Sequence, residues 1–371
     1  MIGMYHAAAG EMRCFESQTT QLCKSQFLFK REYMEIPQAP RQASAGRARQ
    51  SDLTALTIKA DQDEKVFGGD TGVFDLNFEV PAGAIFGMIG PSGCGKTTTV
   101  RLLTGLYRRD KGKLWVLGRD PDRFSLRTRE RIGYMPQHFV LYPNLTVWEN
   151  LNFVASLYGM GYLSRRKWLA QALDFVELSD ARHRLGSQLS GGMQRRLELA
   201  CTLVHNPLLI FADEPTAGID PVLRGKFWDH FRNLRDGGRT LFITTQYVGE
   251  AAYCDMVGVM RAGRLLHVDT PENLRRKAFS GEQIQLVVPP AQVYAAAKIL
   301  MSQPYVADVR RSNDQPGLLV LHVADASDAL PLIFNTMSDH PEISVQQADR
   351  YVPPFDDVFI RLMEQAEEGH V

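Results

Sequence analysis

The run GPSGCGKTTT at residues 90–99 is the stretch of this chain best equipped for chemistry. It follows the apolar AIFGMI and fits the pattern G-x-x-x-x-G-K-[ST] through Gly90, Gly95, Lys96 and Thr97. Glycine costs conformational entropy, so several of them against a buried strand call for a reason. Here they let backbone N–H groups curl inward around phosphate oxygens, while the amides and dipole of the following helix favour the anion. That helix is read from TTTVRLLTGL, with Val100, Leu103 and Leu106 on its apolar side. Lys96 is expected to reach the β- and γ-phosphates of a nucleotide, and the Thr97 hydroxyl to sit on Mg2+. Pro91, Ser92, Gly93, Cys94 and Thr98 are the remaining residues expected at the nucleotide.

A phosphate loop also needs a metal ligand and a group that activates water. LLIFADEP at 208–215 offers both: a near-continuous apolar run suits a central parallel strand, and Asp213 and Glu214 emerge at its carboxyl end, where open α/β sheets bind ligands. Asp213 is expected to hold Mg2+ directly or through water, and Glu214 to orient and deprotonate the attacking water. An isolated Asp-Glu pair is ordinarily a solvated turn; the loop upstream reverses that expectation. A third element, LSGGMQRRLELA at 189–200, sets Ser190, Gly191 and Gly192 at the start of a helix whose apolar positions are Leu197, Ala200, Cys201 and Val204. This is a second anion-seeking helix end, without a lysine.

The elements that must position these groups are legible from texture. A chain of 371 residues suits two or three domains. Residues 1–50 end in PQAPRQASAGRARQ, without periodicity, and are expected to be a mobile tail; an overextended start is an alternative, with Met34 as a later one. From Leu53, alternating strand-like pieces (LTALTIKA, GVFDLNFEV) lead into strands separated by helical patterns, a mixed sheet passing into a parallel α/β layer that runs to about residue 279. In WLAQALDFVEL, Leu169, Ala172, Leu173 and Val176 fall on one helical face, and Thr270-Pro271 reads as N-cap and first helical residue. Residues 280–371 read as strand QIQLVVP, helix AQVYAAAKILM, strands VADVRRS and GLLVLHV, helix DALPLIFNTM, strand ISVQQAD and a final helix from Phe355, a small α+β unit of βαββαβ order.

Composition closes some doors. Lys+Arg equals Asp+Glu at 42 each, so no sequence-independent attraction to nucleic acid is implied. No apolar run approaches the roughly 18 residues of a membrane span, and the first thirty residues lack the apolar core of a secretion signal. Five cysteines without a C-x-x-C pair suit reduced thiols in the cytosol. The histidines, among them His183, His205 and His230, have no metal-ligand spacing. Cys94, among inward amides and beside Lys96, is expected to favour its thiolate, and its alkylation to block nucleotide binding.

Taken in order, these motifs resemble those of ATP-binding cassette (ABC) transporter ATPases over about residues 53–279. GPSGCGKTT resembles the Walker A loop, IGYMPQ with Gln137 the Q-loop, LSGGMQ the signature, LLIFADEP the Walker B strand and TAGIDP with Asp220 the D-loop. The resemblance implies a P-loop cassette at 51–279 with a mixed core sheet, an antiparallel β subdomain and a helical subdomain at about 138–190. It further implies that two nucleotide-binding domains pack head to tail, as a homodimer, around ATP and Mg2+. Ser190 and Gly192, with Gly191, Met193, Gln194 and Asp220, then serve the nucleotide held by the partner, and Gln137 coordinates Mg2+. Phe67, in KVFGG, stands where the family has an adenine-stacking aromatic; a strand-core role is the alternative. Where the family carries a γ-phosphate-contacting histidine after its strand, TTQYVGEAAYCD has Gln246, which can position a group but cannot carry a proton near neutral pH.

The TTQY form, together with PPFDDVF at 353–359, resembles exporter ATPases of the daunorubicin-resistance type. That resemblance implies a cytoplasmic subunit, peripheral on the membrane, which drives separate membrane-spanning subunits. The aromatic segment HFVLYPNLTVWENLNFVASLYGM then receives the membrane subunit, although about half of its aromatics are expected in the subdomain core. An importer ATPase shares every motif, and a soluble non-transport ATPase is the rival from another class. The βαββαβ unit can also be read as a seat for a small regulatory ligand.

Overall fold

The computed structural model describes residues 56–368 apart from 70, 139, 313 and 314. The expectations for residues 1–50, with Cys14, Cys23 and Met34, lie outside the described residues. Strands β1 (Leu56–Gly68) and β2 (Thr71–Pro81) form a hairpin. With β4 (Lys111–Val116) they make an antiparallel sheet in the order β2-β1-β4. On β2 the buried Leu76, Phe78 and Val80 alternate with exposed Asp75, Asn77 and Glu79, the period-2 pattern of a half-covered strand.

The main sheet has six strands in the order β5-β6-β7-β3-β8-β9. These are β3 (Ile85–Ile89), β5 (Ile132–Met135), β6 (Leu209–Asp213), β7 (Thr240–Thr245), β8 (Met256–Arg261) and β9 (Arg264–Asp269). All pairings are parallel except β8 with β9. Every residue of β3, β6 and β7 is buried, because a parallel sheet is covered on both faces. On one face Phe86 stacks on Phe242 at 5.1 Å between ring centroids, with Phe78 and Phe211 alongside.

Helix α1 (Lys96–Leu103) follows β3, and a single turn, α2 (Leu126–Arg129), precedes β5. Val100 and Leu103 are buried as expected, whereas Leu106 is 49 % exposed and outside the helix. The cause is Gly105, whose φ of 71° stops the helix, and where a Cβ would stand 2.5 Å from the Pro121 carbonyl oxygen. Helices α3 (Val147–Leu157), α4 (Tyr162–Phe175) and α5 (Gly191–Leu203) pack together beside the sheet. Thr146 and Glu149 close a reciprocal capping box on α3. Leu169, Leu173 and Val176, like Leu197, Ala200, Cys201 and Val204, are buried as the periodicity predicts. Helices α6 (Pro221–Asp236) and α7 (Pro271–Phe279) complete this part, with Thr270 capping α7 through a bond from the Asn273 N–H at 3.2 Å.

Beyond α7 a second sheet forms from β10 (Glu282–Val287), β11 (Val306–Arg311), β12 (Leu318–Val323) and β13 (Gln347–Tyr351). Its order is β11-β12-β10-β13, all antiparallel, with α8 (Val293–Met301) and α9 (Ala326–Ser338) on one side. This is the split βαβ arrangement, with its own core around Ile284, Leu286, Leu321 and Ile333. The strand expected at ISVQQAD begins only at Gln347; Ile343 is instead a loop residue buried in that core. The last helix, α10 (Phe355–Glu368), leaves this sheet and returns to the first body. There Phe355, Val358 and Leu362 are buried in one cluster with Ala251, Cys254, Leu274 and Ala278. No described helix is long and apolar enough to cross a membrane.

Candidate nucleotide-binding site

The loop joining β3 to α1 is forced by packing as much as by torsion. A Cβ on Gly90 would stand 2.3 Å from the Met260 carbonyl oxygen, and Gly95 caps α1 with a φ of 113° that L side chains rarely adopt. Pro91, Ser92 and Gly93 are exposed at its crest, and Thr98 is half-buried. Lys96 is 3 % exposed and its ammonium donates to the carbonyl oxygens of Gly90 at 2.9 Å and Pro91 at 3.1 Å. The same Nζ is 3.4 Å from Glu214 Oε1. These are replaceable contacts for a cation whose other natural partner is phosphate.

Strand β7 lies between β3 and β6, so a polar residue on it can touch groups from both neighbours. Thr244 does this: its hydroxyl donates to Asp213 Oδ1 at 2.5 Å and accepts the Glu214 N–H at 3.0 Å. Thr97 Oγ1, from α1, donates to the same Asp213 oxygen at 3.1 Å. Asp213 is wholly buried, and its Oδ2 has no hydrogen-bond partner. Burial raises its proton affinity, the Thr244 and Thr97 hydroxyls oppose the rise, and Glu214 adds to it. An orphaned carboxylate oxygen beside a hydroxyl fits a hard divalent cation such as Mg2+.

Glu214 has a φ of 48°, a left-handed backbone that a non-glycine residue adopts at a cost. Its N–H is held by both the carbonyl (3.1 Å) and the hydroxyl of Thr244. The turn leaves its carboxylate between two partners, Lys96 on Oε1 and Gln137 on Oε2, whose Nε2 donates at 3.0 Å. With its amide nitrogen so engaged, Gln137 presents its carbonyl oxygen as the group for a cation.

The remaining expected residues are distributed differently. Ser190 caps α5, accepting the Met193 N–H at 3.3 Å, and Gly191 has open space where a Cβ would point. A Cβ on Gly192 would meet Leu223 Cδ2 at 2.2 Å, so this glycine lets α5 approach α6. Gln194 points inward, donating to the Gly186 carbonyl oxygen at 3.2 Å. Asp220 caps α6 by accepting the Leu223 N–H at 3.0 Å. Among the described residues no hydrogen bond joins 190–194 to 90–98; within one chain the two anion-seeking ends stay separate. Gln246 is exposed just past β7. Phe67 is 52 % exposed, so the strand-core alternative does not hold; its ring meets Tyr107 edge-on at 5.4 Å.

Cys94 requires a correction. It is 4 % exposed, and burial pushes its thiol up despite the opposing pull of Lys96, so the expected thiolate preference does not hold. Two residues escaped the sequence reading. Thr244 is one of two adjacent hydroxyls that close the strand TLFITT, with nothing local to set it apart from Thr245. Arg195 ties α5 to the Q-loop, donating to the Pro136 carbonyl oxygen at 3.0 Å, to that of Gln137, and to Glu198 at 2.8 Å.

A strand, glycine-rich loop and helix with a buried lysine, facing an acidic pair two strands away, define a P-loop nucleotide-binding protein. Residues 73–217 match the family described as ABC transporter. The chain is 35 % identical over 311 residues to the daunorubicin resistance ATP-binding protein DrrA3 of Streptomyces coeruleorubidus, covering 83 % of this chain and 96 % of that one. It belongs to the ABC transporter family and carries the family's ATPase cassette. It is 37 % identical over 226 residues to the probable multidrug ABC transporter ATP-binding protein YbhF of Escherichia coli, covering 61 % of this chain but only 39 % of that relative's length. A solved ATP-binding cassette, a dimer in a post-hydrolysis state bound to ADP and Pi, superposes with a TM-score of 0.52 at 25 % identity, over 57 % of this chain and 98 % of its own.

Proposed function

We propose that this chain binds and hydrolyses ATP as the cytoplasmic, membrane-peripheral subunit of an ABC exporter of drugs or antibiotics. The observation that carries the chemistry is the Glu214 carboxylate, fixed between Lys96 and Gln137 beside the orphaned oxygen of Asp213. Asp213, Thr97 and Gln137 would hold Mg2+, which when bound neutralises charge on the transferring phosphoryl group. Loop amides from Gly90 to Thr98 cradle the phosphates, and Lys96 exchanges its carbonyl contacts for β- and γ-oxygens. Glu214 accepts the proton of the water that attacks the γ-phosphorus, and ADP leaves. Gln246 positions without proton transfer, and Phe67 offers an exposed ring for adenine.

Ser190 and Gly191 stand open at a helix start that reaches no phosphate loop of its own chain. This supports completion of each site by a second copy, with the signature of one chain on the nucleotide of the other; the solved cassette it resembles is itself a dimer bound to ADP and Pi. The export reading rests on the likeness to the resistance proteins over nearly their whole length. The test is purification from detergent-solubilised membranes, followed by light scattering with a slow-turnover variant and Mg·ATP. A multi-span subunit and an ATP-dependent dimer are expected; ribosomes or DNA in its place, or monomers throughout, would overturn the reading.

A further inference from the structure

Four arginines recur at every fourth residue between β4 and β5: Arg119, Arg123, Arg127 and Arg131. The segment folds as a 3-10 turn at Pro121–Arg123 followed by α2, and this path gathers all four around one cavity of about 390 Å3. Leu117, Ser125 and Thr128 complete the lining. None of the four guanidinium groups has an ion pair or side-chain hydrogen bond among the described residues.

The neighbouring acids offset them only in part: the Asp120 carboxylate feels the Arg123 charge but forms no ion pair with it. Asp120 receives both terminal nitrogens of Arg109, at 2.8 and 2.6 Å, and caps the Asp122 N–H at 3.0 Å. Asp122 also faces Arg109, at 3.5 Å. Glu130, the remaining acid of the segment, does not line the cavity. In a chain whose charges balance at 42 and 42, this is a local excess of like charge that an anion would relieve. The cavity adds hydroxyls as well as charge: Ser125 Oγ and the buried Thr128 Oγ1 lie 3.0 Å apart. No residue of the 90–98 loop, nor Asp213 or Glu214, contributes to it.

We propose that this cavity binds a phosphate-bearing anion of at least two negative charges, at a site separate from the nucleotide. Guanidinium forks match phosphate oxygens bidentately, and four of them around one volume favour a phosphate group over a single carboxylate. The same chemistry could come from the headgroup of an anionic phospholipid or from a free phosphate compound.

The experiment uses the full chain, with the nucleotide loop saturated by a nonhydrolysable ATP analogue and Mg2+. One arm measures flotation with vesicles containing phosphatidylglycerol against pure phosphatidylcholine; the other titrates inorganic pyrophosphate by calorimetry. Saturable binding in at least one arm is expected, weakened at least tenfold in Arg123→Gln/Arg127→Gln with an unchanged melting temperature. Binding to vesicles alone assigns a lipid headgroup, and binding to pyrophosphate alone a free phosphate. Should that variant fold poorly, Arg119→Gln/Arg131→Gln is expected to show the same loss. Absence of binding in both arms, or variants that bind as tightly as the parent chain, would overturn the proposal.

Discussion

The Thr244 hydroxyl donates to Asp213 Oδ1 at 2.5 Å while accepting the Glu214 N–H at 3.0 Å. One buried side chain on the intervening strand thus orients the carboxylate suited to a cation and the backbone of the residue suited to water. It also holds Glu214 in its left-handed conformation, because both of the bonds that fix that N–H end on Thr244. Strand order makes this arrangement available: β7 separates the strand that feeds the phosphate loop from the strand that ends in the acids.

Thr244→Val should therefore weaken the apparent Mg2+ affinity in turnover rather than the fold. A hydrogen bond to a charged group contributes roughly 1.5–3 kcal/mol, so the Mg2+ concentration for half-maximal ATPase should rise by about 10- to 100-fold. Thr244→Ser should restore most of it. If the valine variant needs no more Mg2+ than the parent, the hydroxyl does not position Asp213.

Glu214→Gln leaves the backbone N–H that donates to Thr244 but removes the base and the charge 3.4 Å from Lys96. Loss of general-base catalysis is worth roughly 10²–10⁴ in rate, so kcat should fall by about that factor while Mg·ATP still binds. Single-turnover kinetics with equilibrium binding separates the two. Parental turnover in this variant would remove Glu214 from the reaction.

Cys94 should alkylate more slowly than a free thiol near neutral pH. Burial pushes its thiol up, and only the thiolate attacks. Peptide mapping after iodoacetamide treatment should show a rate that climbs with pH beyond the range of ordinary cysteine. ATP should slow it further, because Sγ lies only 2.7 Å from where a Cβ on Gly90 would stand and an adduct there intrudes on the loop. Rapid modification at neutral pH would contradict the buried geometry.

Much of this site was legible because its parts are local. Gly90 to Thr97, Asp213-Glu214 and Ser190 to Gly192 each sit at the end of a strand or the start of a helix, and short-range pattern announces such places. Thr244 and Arg195 were not legible, since their roles come from strand order and from the distance between α5 and the Q-loop. Cys94 misled for a related reason. Sequence proximity put Lys96 beside it, but its desolvation comes from packing around the loop, where the added Cβ contacts at Gly90 already show crowding. The exposure of Leu106 followed from Gly105, a stop signal inside a stretch that otherwise reads as helix.

Asp63 should make stability fall as pH rises through the neutral range. It is 1 % exposed, its Oδ1 has no hydrogen-bond partner, and burial pushes its pKa up to about 7, with Arg109 opposing and Asp122 and Asp120 adding to the rise. The folded state therefore holds a proton that the unfolded chain releases near pH 4 on the usual carboxylate scale. Its contribution is complete below that point and is lost as pH climbs through about 7. At ~1.4 kcal/mol per tenfold change in proton affinity, the loss is at most roughly 4 kcal/mol. Asp63→Asn should flatten this part of the profile and stabilise the chain at pH 8. Denaturant unfolding at pH 5 and 8 checks it; an equal fall in parent and variant would assign the slope elsewhere.

Phe355→Ala should damage the first body, although Phe355 follows the last strand of the second sheet. Its ring is 3 % exposed in a cluster with Ala251, Leu274 and Ala278, and Arg275 covers it with its guanidinium carbon 5.5 Å from the ring centroid. Truncating a buried phenylalanine costs roughly 3–5 kcal/mol, which should appear as a lowered melting temperature. Location is the sharper measurement. Hydrogen exchange should quicken in α7 and in residues 248–253, which α10 contacts, while β10 and β12 keep their protection. Leu321→Ala, in the separate core of the second sheet, should reverse that pattern. If Phe355→Ala instead loosens β10 and β12 and spares α7, then α10 draws its stability from the second sheet, and the shared cluster with Ala251 and Leu274 contributes little.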